Sequence, residues 1–126
     1  MSPASSPSPS PSAAVAPAAV IYTCESQPLT EPSGYTLACA DGNGGLSGMS
    51  WPRWTADGAT GTGGYYQNDC TPDCADGTFV DYPATVTLSN PIASPDGAEY
   101  FTQMTVVSTA LPDGSNTWTL GPDGPA

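Results

Sequence analysis

The sequence has almost no positive charge. It contains no lysine, no histidine and one arginine, Arg53, against twelve acidic residues, and its formal net charge is −11. Nucleic-acid binding depends on Lys and Arg side chains that neutralise phosphates, so no nucleic-acid partner is expected, and anionic membrane surfaces are disfavoured for the same reason. Without His or Lys, a Ser or Thr nucleophile lacks its usual general base. Carboxylate pairs can hydrolyse glycosides, but no spacing singles out a pair here. We therefore predict that the protein is not an enzyme.

Long apolar runs and helical periodicity are also missing. No stretch approaches the roughly 18 apolar residues that a membrane-spanning helix needs, so no membrane span is expected in this chain. No window shows the 3.6-residue apolar period, and Lys, Arg and Glu, which favour helices, are scarce. Met1 is followed by Ser, Pro and Ala rather than by a basic and then an apolar region, so the start is not an intact signal peptide. We expect that an upstream signal or lipid anchor has been lost.

Composition divides the chain into an arm, a domain and a tail. Apart from Met1 and Val15, residues 1–17 are Ser, Pro and Ala, and such segments have too few large apolar side chains to form a core. They predict a disordered, extended linker. Residues 18–121 carry the aromatic, β-branched and cysteine residues of a single domain. Residues 122–126, Gly- and Pro-rich, are predicted to fray.

Short β-prone runs separated by turn residues fill the domain. They lie at residues 20–24, 35–39, 46–55, 65–67, 79–88, 100–107 and 117–120. Residues 57–64 read as a loop. Pro52 predicts an edge or bulged strand, and Pro83 predicts a bulge or an edge segment, because proline cannot donate to a ladder. The class predicted is all-β: a small, disulfide-stapled β-sandwich or partly open barrel of about six to eight short antiparallel strands.

Four cysteines, Cys24, Cys39, Cys70 and Cys74, suit an oxidising compartment. A zinc site is disfavoured because histidine is absent and the spacings do not match. Three disulfide connectivities are possible. We expect Cys70 and Cys74 each to reach a different strand, pairing with Cys24 and Cys39, since long loops restrict the unfolded chain more. The alternative is a direct Cys70–Cys74 bridge across a tight turn.

A set of motifs resembles a known family. The motifs are Leu37-Ala-Cys-Ala-Asp-Gly-Asn43, Trp51 with Trp54, Asn68-Asp-Cys-Thr-Pro-Asp-Cys-Ala75, and Tyr82-Pro-Ala-Thr-Val86. In this combination, over about residues 24–107, the chain is similar to small exported domains of actinobacteria that occur as secreted proteins, lipoproteins and appended extracellular modules. That family has no established activity that the resemblance could imply for this chain. The resemblance implies a secreted or extracytoplasmic, cell-envelope location.

Oxygen-rich turns are the candidate metal ligands. Asp41 and Asn43 resemble the start of a calcium loop, although the later ligands and the closing Glu are absent. A second cluster follows, made of Asn68, Asp69, Asp73 and Asp76. Aspartates and asparagines at such positions usually cap their own turns. We expect no cofactor, with calcium as the alternative.

Aromatic residues are the candidate ligand-binding groups. Trp51, Trp54, Tyr65 and Tyr66 lie in a Gly-rich region, and sugar-binding β-sandwiches often present such rings to solvent. A small core also needs tryptophan, so at least one ring is expected inside. Our leading interpretation is a non-catalytic extracellular or cell-envelope interaction or structural module on a flexible tether, with a protein or polysaccharide partner. The alternatives are a carbohydrate-binding module that uses the exposed Trp and Tyr side chains, and a calcium-dependent adhesive domain.

Overall fold

The computed structural model describes residues 18–94 and 97–125, so the predicted linker at residues 1–17 lies outside the described residues, as does residue 126. Within the described part, no α-helix occurs, and the one helical element is a 3₁₀ turn at Pro112–Gly114. No helix of these residues is long and apolar enough to cross a membrane. The strands are β1 (Ile21–Tyr22), β2 (Pro28–Leu29), β3 (Tyr35–Thr36), β4 (Gly44–Trp54), β5 (Ala59–Asn68), β6 (Phe79–Ala93), β7 (Glu99–Ser108), β8 (Ser115–Gly121) and β9 (Gly124–Pro125).

Seven strands form one antiparallel sheet in simple chain order, from β3 to β9, and β1 pairs with β2 separately. The sheet curls into a half-barrel, which confirms the predicted all-β class and its partly open barrel alternative. Each connection joins neighbouring strands, as expected where turn residues separate short β-prone runs.

Alternation along the strands builds the core. In β6, Ala84, Val86 and Leu88 are buried while Thr85 and Thr87 are exposed. Successive side chains of a strand point to opposite faces, so the apolar set fills the concave side and the threonines face solvent. The fully buried side chains include Phe101, Ile21, Leu46, Leu88, Met104, Leu120, Val86 and Val106. Leu120, near the end of β8, is among them, and the partly buried Trp118 packs against the same core.

A short N-terminal segment covers the seam of the half-barrel. Val20 N–H donates to the Glu99 carbonyl at 3.0 Å, and its own carbonyl accepts from Phe101 N–H at 3.0 Å. Ile21 is completely buried. Tyr35 Oη donates to the Tyr22 carbonyl at 2.7 Å, which links β1 to the sheet. Burial raises the pKa of the Tyr35 phenol. Residues 19–22 therefore join β7 to β3, the first strand of the seven-stranded sheet.

Both prolines lie where a missing N–H is tolerated. The β4–β5 ladder shifts register between Ser50 and Arg53, a span that contains Pro52, so the predicted bulge is confirmed. Pro83 pairs with Gly64, but pairing with β7 begins only at Ala84. Pro83 therefore has a neighbour on one side only, and the edge segment, not the bulge, is correct.

Two expectations about local structure were wrong. Residues 59–64, taken as part of a loop, belong to the ten-residue strand β5. Residues 124–125, taken as part of a fraying tail, form β9: Gly121 pairs with Gly124 across the Pro122-Asp123 turn. Gly124 is buried with φ +103°, and a Cβ there would lie 3.0 Å from the Thr23 carbonyl oxygen, so only glycine suits this close approach.

The disulfide pairing that we expected was also wrong. Cys24 pairs with Cys39, and Cys70 pairs directly with Cys74, so the described residues contain no free cysteine. Cys24 follows β1 and Cys39 follows β3, and the hydrogen bond from Tyr35 to Tyr22 already holds those two strands side by side. That proximity favours the observed pair. Two disulfides indicate an oxidising, extracytoplasmic environment.

Candidate functional site

Neither tryptophan of the predicted binding set presents its ring to solvent. Trp51 is 8% exposed, and its Nε1 donates to the Pro32 carbonyl at 2.7 Å. Trp54 is half-buried against the core, and its Nε1 donates to the Ala19 carbonyl at 2.6 Å. The two indole rings pack edge to face, with their centroids 4.9 Å apart. This corrects the prediction of a ligand platform built on Trp51 and Trp54: both point into the barrel because they lie on the inward side of β4.

The two tyrosines lie on opposite faces of β5. Tyr65 is 7% exposed and packs at 6.1 Å from Trp118 inside the barrel, and burial raises its pKa. Its predicted ligand-binding role is corrected for the same reason as that of Trp51. Tyr66, the next residue, points outward and is half-buried. Of the four predicted aromatic side chains, Tyr66 is the one that the outer surface displays.

Tyr66 has a partner that the sequence interpretation missed. Phe79 is 55% exposed, and its ring meets that of Tyr66 edge to face at 5.7 Å. Its outward direction follows from the alternation of β6: counting back from buried Val86 in steps of two leaves odd-numbered residues outside. The signal was therefore present in the sequence. The Tyr66–Phe79 pair is an exposed aromatic patch at one end of the outer face.

An open groove of about 530 Å³ lies on the same outer face. We call it the outer groove; it is lined by Ser47, Gly48, Gly63, Gly64, Asp81, Tyr82 and Pro83. Ser47 Oγ donates to the Asp81 carboxylate, at 3.0 Å from Oδ2 and 3.2 Å from Oδ1.

Glycines make room for the polar and aromatic groups of this face. A Cβ on Gly64 would collide with the Asp81 carboxylate, and one on Gly45 would lie 2.6 Å from Tyr66 Oη. The Asp81 and Tyr66 side chains therefore lie across bare backbone, close to the sheet. The resulting surface joins an exposed carboxylate and hydroxyl to an aromatic patch, which suits hydrogen bonding and stacking with a partner.

The structure brings together the two oxygen-rich loops that were predicted as metal ligands. Asn68 N–H donates to the Asn43 carbonyl at 2.9 Å, and Asn68 Nδ2 donates to Asn43 Oδ1 at 3.1 Å. Asp41 Oδ1 accepts from Asn43 N–H at 3.0 Å. Asn68 also donates to the Cys74 carbonyl at 2.7 Å and accepts from Cys70 N–H at 2.9 Å. These hydrogen bonds thus fasten the Cys70–Cys74 loop to the turn that precedes β4.

The aspartates of the Cys70–Cys74 loop cap backbone turns. Asp69 Oδ1 accepts from Thr78 N–H at 3.0 Å and from Thr71 N–H at 3.1 Å, and these hydrogen bonds lower the pKa of the Asp69 carboxyl. Asp73 Oδ1 accepts from Asp76 N–H at 2.8 Å. Among the described residues, no group of three or more His, Cys, Asp or Glu side chains is placed to hold a metal ion. Calcium binding at this loop stays a prediction.

No protein-family model, curated protein or solved structure matches this chain. Function is therefore inferred from the surface itself. The outer groove and the Tyr66–Phe79 patch are neighbours along β5 and β6, since Tyr66 pairs with Asp81. Together they form one candidate contact surface.

Proposed function

We propose that the protein is a non-catalytic interaction module of the cell exterior, which contacts its partner through the outer groove and the Tyr66–Phe79 patch. The observation that carries this proposal is the exposure of Phe79. More than half of this large apolar side chain faces solvent, and it lies against Tyr66 beside a glycine-floored groove. Exposed aromatic side chains next to polar groups are typical of recognition surfaces.

The location outside the cytoplasm is supported by the two disulfides, which persist in oxidising compartments. The resemblance to exported actinobacterial domains supports the finer proposal of a cell-envelope setting. The described chain begins at Ala18, and Ala19 hydrogen-bonds to Trp54 beside the start of β5, whereas Tyr66 and Phe79 lie at the opposite end of the β5–β6 ladder. A domain tethered there keeps the candidate surface free for a partner in the envelope.

Retention on isolated cell-envelope fractions tests the proposal. We expect Tyr66→Ser with Phe79→Ser to lower the retained fraction by about tenfold, as for loss of an aromatic contact worth more than 1 kcal/mol. The matched control is Ile92→Ser, which removes another exposed apolar side chain of β6 (48% exposed) far from the groove. Equal retention of the double variant and the control would contradict the proposed contact surface.

Carbohydrate binding is the second candidate, and the Ser47–Asp81 pair favours it. A carboxylate held by a hydroxyl next to exposed rings can accept hydrogen bonds from sugar hydroxyls while the rings cover C–H groups. In this version Tyr66 and Phe79 replace the buried Trp51 and Tyr65 as the stacking groups. Glycan pull-down with Asp81→Asn and Phe79→Ala tests it: no glycan retained by the unmodified protein removes this candidate.

A further inference from the structure

Hydroxyl side chains form rows across the outer face of strands β5 to β8. In one row, Thr60 pairs with Thr87, Thr87 with Thr105, and Thr105 with Thr117. The next row runs through Thr62, Thr85, Val107 and Ser115 in the same registers. A third, shorter row joins Ser89, Gln103 and Thr119. We call these positions the threonine face.

The rows are regularly spaced. Neighbouring strands of a sheet lie about 4.8 Å apart, and outward residues along one strand repeat about every 6.8 Å. One pair of these hydroxyls makes a hydrogen bond across strands: Thr105 Oγ1 and Thr117 Oγ1 are 3.1 Å apart. Each Thr also carries a methyl group, so the face alternates polar and apolar atoms on a fixed grid.

The threonine face is free of acidic residues, although the chain has twelve. None of its outward positions holds Asp or Glu, and the only charged side chain in line with it is Arg53, which pairs with Thr60 at the edge. The acids that the structure describes lie instead in turns and loops, at Glu99 where β7 begins, and at Asp81, two residues before Pro83. An uncharged partner bound over these rows would therefore bury no charged side chain of the protein, so binding would carry no free-energy cost of ion desolvation.

The threonine face continues into the outer groove. A second open groove of about 450 Å³ is lined by Thr62, Gly63, Pro83, Ala84, Thr85 and Val107. Gly63 and Pro83 also line the outer groove, so the two depressions share a border. A linear ligand can therefore run from the Tyr66–Phe79 patch across Gly63 and onto the threonine rows.

Resting on the proposed function, we infer that this continuous surface binds an extended, uncharged polysaccharide. Its hydroxyls match sugar hydroxyls and its methyl groups match sugar C–H groups. The threonine rows carry no charge, and the Asp81 carboxylate of the outer groove can accept hydrogen bonds from the hydroxyls of a neutral chain. A polyanion is repelled by the net charge of −11. A protein partner would need aromatic or arginine anchors at the centre of the face, where Val107, 53% exposed, is the large apolar side chain present.

Co-sedimentation with insoluble neutral polysaccharides tests this inference, with cellulose and chitin as the probes. We expect the unmodified protein to sediment with at least one probe, with little change between about 0.05 and 1 M salt, since no charge pairs are involved. Thr85→Val with Thr87→Val keeps the β-branched shape and removes two hydroxyls, and should weaken binding by about tenfold. The control is Thr30→Val, at an exposed threonine outside the face, which should bind as the unmodified protein does.

A second variant is needed because the methyl groups that Thr→Val adds can contact the ligand and offset the lost hydrogen bonds. Thr87→Asp places a charge in the middle of the face and should also abolish sedimentation, whereas the same change at Thr30 should not. The inference is overturned if the unmodified protein binds neither probe, or if Thr85→Val/Thr87→Val binds as strongly as the unmodified protein. The proposed function is judged separately: envelope retention that depends on Phe79 but not on Thr85 and Thr87 supports the contact surface while rejecting the polysaccharide.

Discussion

Replacement of Gly61 by alanine should destabilise the domain through a clash with one ring. Gly61 is buried in β5, and a Cβ there would lie 2.5 Å from Trp51 Cε3, 2.7 Å from Cδ2 and 2.9 Å from the Ser50 carbonyl oxygen. The ring cannot move away freely, because it is 8% exposed and its Nε1 donates to the Pro32 carbonyl. Overpacking of this kind costs about 1–3 kcal/mol. For a domain of this size, that lowers Tm by about 4–24 °C.

Urea unfolding followed by far-UV circular dichroism measures this cost. The matched control is Gly121→Ala, also at a strand glycine, whose nearest obstacle to a Cβ is the Gly124 carbonyl oxygen at 3.9 Å; its stability should change by less than about 0.5 kcal/mol. Trp51→Leu supplies a further check: with the ring gone, the added methyl group still meets the Ser50 carbonyl oxygen but no longer meets the indole, so it should cost less. An interaction free energy of about 0.5–3 kcal/mol between the two sites is expected. If Gly61→Ala costs no more than Gly121→Ala, or the same amount in the Trp51→Leu background, the ring is not packed on this glycine and the reasoning fails.

Three further predictions concern the disulfides and the titrating groups. Cys24→Ser with Cys39→Ser should cost about 3 kcal/mol and Cys70→Ser with Cys74→Ser roughly 2 kcal/mol in urea unfolding, because the bonds close loops with separations of 15 and 4 residues; the reverse order would refute the loop argument. Tyr35→Phe should cost about 1 kcal/mol by removing the donor to the Tyr22 carbonyl. Because burial raises the pKa of Tyr35 above that of the unfolded chain, its contribution is present below about pH 10 and is lost as pH rises further; an equally steep alkaline loss in Tyr35→Phe would contradict this. Asp69 has a lowered pKa, so its contribution to the Cys70–Cys74 loop is present above about pH 4 and is lost as pH falls through the folded pKa. In an NMR titration to acid pH, the amide shifts of Thr71 and Thr78 should change with the same midpoint as the ¹³C shift of the Asp69 carboxyl. Amide shifts that do not change with this carboxyl would exclude the capping role.

Much of the sheet could be predicted from local patterns. The alternation of Ala84, Val86 and Leu88 with threonines defines β6 and its faces, and Pro52 marks a true bulge. Strand β5 could not be predicted in the same way, because glycine and threonine between Ala59 and Gly64 show no apolar alternation. Those glycines are required by their neighbours: Trp51 lies over Gly61, and Asp81 lies over Gly64. This information comes from across the sheet and has no local signature.

The candidate site was predicted less well than the fold. The sequence showed which aromatic side chains exist but not which face of the barrel each one occupies, so Trp51 and Tyr65 were assigned to a surface that they do not reach. Strand register decides this, and a shift of one residue exchanges the two faces. The disulfide pairing failed for a related reason: loop length alone favours distant partners, whereas the tight turn at Thr71-Pro72-Asp73 brings Cys70 to Cys74 directly.

The seam determines how the domain would respond to tension on its N-terminal arm. A pull at Ala18 acts first on the two hydrogen bonds that join Val20 to β7 and on the bond from Trp54 to the Ala19 carbonyl. Detachment of the N-terminal segment then stops at Cys24, because the Cys24–Cys39 disulfide transmits the force directly to the backbone that follows β3. A modest load would therefore detach only the few residues before Cys24 and uncover the edge of Trp54. The long strands β4 to β8, which carry the outer groove and the threonine face, would stay folded under that load.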